Sequence, residues 1–359
     1  MKVLISGGGT GGHIYPALSI VEEFKKNNNN KVLYVGKKNS MESDIVPKSS
    51  IDFKGITIDG FNRVNKFKNI FVGLKLLLGL IQSLLIILKY KPDIVIGTGG
   101  YVSGPILLIS AVLKKKTYIH EQNSFPGITN RILSKYVDTV FISYEESIHK
   151  FSKKSKIKYT GNPVRKAFKE NLDGLKKETH DFKKVLSFGG SGGAKKINDL
   201  MLQVILEFNG NASYQITHVT GKKYYDEFLN NLKEKNIALE ENIKIYDYLK
   251  EMPNYMLNSD LVISRAGAIT ISELKYTNTP SILIPSPNVT DDHQTYNAKS
   301  MENKGLAKMI SEEALDATVI CDLIKSTDFI KSLKNNLMNQ AENEASQEIY
   351  NYIMKDVVL

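Results

Sequence analysis

Met1-Lys-Val-Leu-Ile-Ser-Gly-Gly-Gly-Thr-Gly-Gly-His13 sets how the chain begins to fold. Val3 to Ile5 form a short apolar run, glycines follow at positions 7, 8, 9, 11 and 12, and a histidine closes the stretch. An apolar run that breaks into a glycine loop and re-enters a helical pattern starts a βα unit of a parallel sheet. Gly7, Gly9 and Gly12 also fit the spacing G-x-G-x-x-G, which receives a dinucleotide pyrophosphate. Such a loop lets a ligand approach the backbone and aims amides and a helix N-terminus at it. A tight strand-to-helix turn explains one such glycine more readily than a whole run. The dinucleotide reading carries its own test, an acidic residue about 20 positions on that holds the ribose diol. The next strand, Lys31-Val-Leu-Tyr-Val35, ends in Gly36-Lys-Lys38 and has no acid there. Lys37 and Lys38 would suit a 2′-phosphate, which is a weak substitute.

Working outward, the same alternation recurs. Strands are expected at Val3–Ser6, Val32–Val35, Ile94–Gly97, Thr117–His120 and Thr139–Ile142, then at Val185–Phe188, Gln215–Thr220, Ile243–Ile245, Leu261–Ser264 and Ser281–Ile284. Helix-like stretches separate them, so the fold class is α/β with parallel sheets covered on both faces. A second glycine loop, Gly189-Gly-Ser-Gly-Gly-Ala194, again follows an apolar strand. Two such starts predict two Rossmann-like, doubly wound halves, and 359 residues exceed one ordinary core. Tyr159-Thr-Gly-Asn-Pro-Val-Arg165 is a suitable passage between them, and residues 171–184 look like an exposed insertion. No repeat of solenoid length is present.

Composition narrows the class. Hydrophobic content of 42% and charged content of 24% are those of a folded protein. The single cysteine, Cys321, excludes an intrachain disulfide and fits a reducing compartment. The first strand runs straight into glycines, without the apolar h-region and cleavage site of a signal peptide, so none is expected. A net charge of +10 invites an anionic partner. Nucleic acid is not expected, because no zinc-finger, RRM or KH signature and no base-reading basic helix is present. A membrane surface or a phosphorylated ligand remains.

Side chains with chemistry collect after the strands. His13 opens a helix at a strand tip, where ligands of open α/β sheets bind. The helix N-terminus disfavours an imidazolium, and a neutral ring takes a proton; the other reading is a packed structural histidine. Gly97-Thr-Gly-Gly-Tyr-Val-Ser-Gly-Pro105 offers hydroxyls and close backbone, and His120-Glu-Gln-Asn-Ser-Phe-Pro-Gly-Ile-Thr-Asn-Arg131 carries polar groups out of an apolar strand. In Ile263-Ser-Arg-Ala-Gly-Ala-Ile-Thr-Ile-Ser-Glu273, Ala268 to Thr270 begin a helix suited to phosphate oxygens. Glu273 is placed to accept both hydroxyls of a ribose, or merely complements the helix dipole. The most apolar stretch, residues 67–90, is nearly long enough to span a bilayer. Lys68, Lys75, Gln82 and Lys89 recur every seven residues as a narrow polar stripe, and a strand follows at once, so a crossover helix is expected. Its surplus apolar surface, with Arg63, Lys66, Lys68 and Lys114-Lys-Lys116 nearby, reads as docking on an anionic leaflet. A fully buried core helix is the other reading.

In order along the chain, Gly7–His13, Thr98–Pro105, His120–Asn123, Gly161-Asn-Pro-Val-Arg165, Gly189–Ala194, Arg265–Glu273 and Asp292-His-Gln-Thr-Tyr-Asn-Ala298 resemble the blocks of the MurG family. These are bacterial peptidoglycan glycosyltransferases that convert lipid I to lipid II. The resemblance covers nearly the whole chain. It implies a GT-B fold, two Rossmann-like domains facing across a cleft. Residues 1–162 would form the acceptor and membrane-facing domain and residues 163–339 the UDP-sugar domain, with a last helix at about 340–359 returning to the first. It implies UDP-N-acetylglucosamine (UDP-GlcNAc) as donor, and as acceptor the 4-hydroxyl of MurNAc in undecaprenyl-diphosphate-linked MurNAc-pentapeptide. The enzyme would sit peripherally on the cytoplasmic face of the membrane, with no cofactor.

Carried over by residue, the donor contacts fall on Thr10, Gly11, Gly12, Asn123, Arg165, Ser191, Leu249, Ala268, Ile269, Thr270, Ile271, Ser272, Glu273 and Gln294. Leu249 matches its block only loosely, and the second glycine loop lacks the glutamine that many members carry after its serine. His13, or a water it positions, is the candidate base for an inverting in-line displacement. Charge on the β-phosphate would be met by amides of 268–270, Ser191 and Arg165. No metal is required for that, and Asp291-Asp292 are adjacent rather than D-x-D spaced. A diacylglycerol glycosyltransferase stays open beside this reading, although His120–Asn123 with Asn130-Arg131 favours lipid I. A nucleotide-dependent oxidoreductase also stays open, although the missing ribose acid speaks against it.

Overall fold

The structure, a computed structural model, describes all residues except 61–67, 154, 341–343 and 359. Arg63 and Lys66 therefore lie outside the described residues, as does the side chain of Lys68. The chain divides into two compact units, Met1–Lys166 with Asn343–Leu359, and Ala167–Glu342. Arg165 thus belongs to the first unit.

The first unit is built on β1 (Lys2–Ser6), β2 (Lys31–Lys37), β3 (Asp52–Ile56), β4 (Ile94–Gly97), β5 (Lys116–Glu121), β6 (Thr139–Ile142) and β7 (Lys156–Tyr159). They form one parallel sheet in the order β3-β2-β1-β4-β5-β6-β7. Side chains alternate between its faces. Val3, Ile5, Tyr34, Ile94 and Ile96 meet the helix Gly11–Lys25 and, from the chain's end, Ile349 and Ile353 of the helix Ala345–Val358. Leu4, Val35, Val95, Ile119 and Val140 form the core of the other face with residues of the helices Lys68–Tyr90, Ser103–Val112 and Ile128–Leu133. The last helix is tied down by polar contacts too. The Tyr118 hydroxyl donates to Asp356 at 2.7 Å, and Phe24 meets Tyr350 edge-on at 5.0 Å.

The second unit carries β8 (Lys183–Phe188), β9 (Tyr214–Val219), β10 (Ile243–Tyr246), β11 (Leu261–Ser264), β12 (Ser281–Leu283) and β13 (Lys308–Met309), parallel in the order β10-β9-β8-β11-β12-β13. Strand order reverses between β1 and β4 and again between β8 and β11. Each glycine loop leaves the carboxyl end of a strand at such a switch point, where open α/β sheets bind ligands.

β3, β7 and β13 fall outside the strands read from the sequence, and all three are sheet edges. An edge strand packs on fewer neighbours, so Asp52-Phe-Lys-Gly-Ile56 and Lys156-Ile-Lys-Tyr159 alternate exposed and covered residues and carry no apolar run.

Of the polar stripe on the helix Lys68–Tyr90, Gln82 and Lys75 meet the segment after β3, while Lys89 is exposed. Gln82 accepts from the Thr57 amide at 2.6 Å and donates to its hydroxyl at 3.3 Å, and Lys75 pairs with Asp59. Val72, Ser83 and Ile87 are buried. A Cβ on Gly79 would lie 3.2 Å from the Thr57 carbonyl, so glycine permits the close approach there. Ile70, Phe71, Leu74, Leu77, Leu78, Ile81, Leu85 and Leu88 point outward, Phe71 being 68% exposed. The helix is therefore not a buried core helix. Residues Ile70–Tyr90 are long and apolar enough to cross a membrane, with mean hydropathy 2.4, but they form the crossover from β3 to β4 of one sheet.

His218 is fully buried on β9, beside Ser187 of β8. Burial, partly offset by the Ser187 backbone, pushes its imidazole down to about 3. The unfolded ring takes a proton near pH 6.5, so between pH 6.5 and about 3 the unfolded state binds more protons than the native state. The neutral burial is fully favourable above that window and is lost as pH falls, with a slope up to about 1.4 kcal/mol per pH unit. In urea titrations, His218→Leu should gain stability relative to the parent on going from pH 7.5 to pH 5; an equal pH response in both proteins would contradict this.

Candidate active site

In the first unit two glycine loops interlock at the switch point. The Gly8 amide donates to the Gly99 carbonyl at 3.3 Å, the Thr98 amide to Ser6 at 2.9 Å and the Thr98 hydroxyl to the His13 carbonyl at 2.8 Å. Gly100 has φ +79°, and a Cβ there would sit 2.2 Å from the Gly8 carbonyl oxygen, so only glycine fits. Thr10 is the exposed N-cap of the helix Gly11–Lys25, with Gly11, Gly12 and His13 as its first three residues.

Two groups that sequence reasoning passed over brace this loop from behind. Tyr34 on β2 donates to the Gly7 carbonyl at 2.7 Å. Glu42, fully buried, accepts from the Gly9 amide at 3.3 Å and the Lys37 amide at 3.0 Å. Its carboxylate lies under the loop, where a Cβ on Gly8 would meet it at 2.3 Å. The acid absent from the end of β2 is thus replaced by one that holds loop amides. Glu42 sits in a five-residue helix beyond the strand, and only the Ser40 capping box hinted at that turn.

His13 is half-buried, and its Nδ1 lies 3.0 Å from the Thr98 carbonyl oxygen and 3.1 Å from Gln122 Oε1. The block that ends β5 and continues past it proves to be internal support. His120, Glu121 and Gln122 are buried. Glu121 accepts from the Asn123 amide at 2.9 Å, its side chain at 3.2 Å, the Gly127 amide at 3.0 Å and Asn130 at 2.9 Å, which shapes the loop and presents the half-exposed Asn123. His120 faces the Gly161 carbonyl at 3.0 Å, and burial pushes it down to about 4, with His13 adding to the shift and the Gly161 contact opposing it. The Arg165 guanidinium stacks 5.1 Å from the centre of the Tyr15 ring, one helical turn from Gly11 and Gly12.

In the second unit, the remaining predicted residues lie beyond the carboxyl ends of β8, β10, β11 and β12. Ser191 is exposed in the glycine loop, ahead of the helix Lys195–Phe208. Leu249 is buried in the turn after β10. The helix Ala268–Tyr276 starts from an extended Gly267 and has no acid in its first turn, which leaves its N-terminus suited to an anion. Ile271 is buried, and the Ser272 hydroxyl donates back to Ala268 at 2.8 Å, so these two offer main chain more than side chain. Ile269 and Thr270 are partly exposed and Glu273 is buried at 3% exposure. Gln294 accepts from the Ser286 amide at 2.9 Å. Sequence reasoning left Arg265 without a role. It donates to the Ile284 and Pro285 carbonyls at 3.2 and 3.1 Å and pairs with Glu312, tying the loop after β11 to the loop after β12.

Each of the two parallel-sheet units carries a glycine loop at its switch point. Residues 3–142 match the glycosyltransferase family 28 N-terminal domain and residues 184–354 its C-terminal domain, which defines the class. A Bacillus cereus protein named UDP-N-acetylglucosamine--N-acetylmuramyl-(pentapeptide) pyrophosphoryl-undecaprenol N-acetylglucosamine transferase 1 is 43% identical over 99% of both chains. A Bacillus cytotoxicus protein of the same designation, without the numeral, is 42% identical over 93% of both. The crystal structure of Acinetobacter baumannii MurG superposes with a TM-score of 0.80 at 25% identity, over 99% of both chains. The chain belongs to the MurG family.

Proposed function

We propose that this glycosyltransferase moves GlcNAc from UDP-GlcNAc to the 4-hydroxyl of MurNAc in lipid I, with inversion, to give lipid II. The observation that carries the reading is full-length kinship, 43% identity over 99% of both chains, to an enzyme named for that reaction. The donor's uridine and diphosphate go to the second unit. Glu273 takes the ribose hydroxyls, the amides of Ala268, Ile269 and Thr270 with Ser191 take phosphate oxygens, and Leu249 and Gln294 are further donor contacts. Thr10, Gly11, Gly12, Asn123 and Arg165 of the first unit complete the contacts. His13 removes the acceptor proton as the hydroxyl attacks the anomeric carbon, because an unassisted sugar hydroxyl is a poor nucleophile. The bond to the UDP oxygen breaks with its electron pair going to the β-phosphate, where amides and guanidinium oppose the new charge.

The acceptor is lipid-borne, so the enzyme must reach a bilayer. The outward ridge of the helix Lys68–Tyr90 suits this. So does exposed Val112 on the neighbouring helix Ser103–Val112, which in turn packs on the helix carrying exposed Ile128 and Ile132, and so does exposed Lys114. Apolar surface beside lysines favours an anionic leaflet, here the cytoplasmic face, in a peripheral mode.

Transfer of labelled GlcNAc to a lipid I analogue tests the reading. UDP-GlcNAc should outperform UDP-glucose and UDP-GalNAc by on the order of 100-fold. Transfer to diacylglycerol and not to the lipid I analogue would favour the other lipid glycosyltransferase reading instead.

A further inference from the structure

Beneath His13 runs a chain of polar contacts that ends at a second histidine. His13 Nδ1 lies 3.0 Å from the Thr98 carbonyl oxygen, which only accepts, so Nδ1 carries a hydrogen. Gln122 Nε2 lies 2.8 Å from the same carbonyl, which fixes the amide with its nitrogen there and its Oε1 at 3.1 Å from His13 Nδ1. The other Gln122 N–H points to His120 Nδ1 at 3.0 Å. His120 Nε2 faces the Gly161 carbonyl oxygen at 3.0 Å, so that nitrogen carries the hydrogen and Nδ1 holds the lone pair that Gln122 needs. Gln122 Nε2 also lies 3.2 Å from the His120 carbonyl oxygen, a longer contact than the one to Nδ1, and in the arrangement with the shorter contacts every donor meets an acceptor. A flipped amide would set its oxygen against the Thr98 carbonyl, and a protonated His120 would set an N–H against the Gln122 N–H.

We propose that His120 and Gln122 are positioning residues which hold His13 as its Nδ1–H tautomer, so that Nε2 is the lone pair offered to the acceptor hydroxyl. This rests on the reading of His13 as the base. In the step, the hydroxyl proton passes to Nε2, the oxygen pair forms the new bond to the anomeric carbon and the UDP oxygen departs with its own pair. The imidazolium so formed still donates through Nδ1 to Thr98 and Gln122, two acceptors already in place. Burial keeps His120 neutral, its imidazole being pushed down to about 4, so the chain holds its polarity across the working range. Neighbouring charges are occupied elsewhere. Glu121 accepts from the amides of Asn123 and Gly127, Glu42 from that of Gly9, and Arg165 stacks on Tyr15.

The test combines 15N NMR of the histidine rings in the resting protein with the pH profile of turnover. In the parent protein His13 should be Nδ1–H and His120 Nε2–H. Gln122→Met, which keeps the side-chain length and removes both hydrogen-bonding ends, should raise the Nε2–H fraction of His13 and lower kcat by about 10- to 100-fold, with the KM for UDP-GlcNAc unchanged. Gln122→Glu should move the acidic limb of kcat/KM to higher pH, because its carboxylate stabilises the imidazolium. His120→Leu should behave like Gln122→Met, whereas His120→Asn, whose amide oxygen stands in for Nδ1, should recover most of the rate. Should the leucine variant fail to fold, the methionine variant decides alone. The proposal is overturned if His13 is Nε2–H in the parent protein, or if Gln122→Met leaves both tautomer and kcat as they were. A fully active His13→Ala enzyme would instead remove the base reading, and the tautomer spectra would still decide the positioning claim separately.

Discussion

His13→Ala lowers kcat by about 10²–10⁴-fold and leaves the Kd for UDP-GlcNAc within a factor of a few, the range expected when a positioned general base is deleted. The split follows from where the ring stands. His13 belongs to the first unit, at the opening of the helix Gly11–Lys25, while the residues assigned to uridine and phosphate follow β8, β10, β11 and β12 of the second, and the donor contacts assigned to Thr10, Gly11 and Gly12 beside it do not involve the imidazole. Among the described residues its side chain bonds Thr98 and Gln122, and the Thr98 hydroxyl bonds its main-chain carbonyl, a contact alanine keeps. The loop should therefore survive the substitution. Isothermal titration with UDP-GlcNAc and steady-state turnover check the two halves of the expectation. An unchanged kcat removes His13 from the chemistry, and an equal loss in affinity and rate makes it a donor contact.

Replacing Leu77, Ile81 and Leu85 together with glutamine weakens binding to anionic vesicles by on the order of 100-fold. The three lie at successive i+4 positions on the outward face of one helix and are 57%, 48% and 61% exposed. Burying the remaining half of each side chain in lipid is worth about 1 kcal/mol, so the three sum to about 3 kcal/mol, or roughly two decades in affinity. Glutamine leaves the net charge alone, so the loss reports apolar contact and not the lysines. Stability should shift by no more than about 0.5 kcal/mol per site, because none of the three belongs to the core cluster beneath the helix and glutamine keeps most of the covered stem. Turnover of a short-chain, water-soluble acceptor should persist. Vesicle sedimentation measures the first effect, and unchanged partitioning would dissociate this ridge from the membrane.

Much of this was legible in residues. Strands buried in the middle of a parallel sheet must be apolar throughout, so β1, β4, β6, β8 and β11 stood out as runs. Edge strands β3, β7 and β13 did not, because a strand with one neighbour is under no such demand. The heptad spacing of Lys68, Lys75, Gln82 and Lys89 marked a stripe, of which Lys75 and Gln82 make contacts and Lys89 is exposed, and composition alone does not say which way a stripe faces. Thr57 and Asp59 decide that, and they sit in a turn whose partners are far along the chain. The same limit hid the supports of the site. Glu42, Tyr34 and Glu312 act on backbone or side chains of loops that folding brings alongside, and nothing local signals that. His120-Glu-Gln122 read as surface chemistry because polar residues rarely follow an apolar strand inward; the structure buries them as a hydrogen-bonded frame.

Which unit receives the nucleotide decides the assignment of every other site residue. Photocrosslinking with 5-azido-uridine UDP-GlcNAc, followed by peptide mapping, reads this directly. Label in the segment 244–276, around Leu249 and Glu273, is the expected result. Label confined to residues 1–25, beside the first glycine loop, would contradict it.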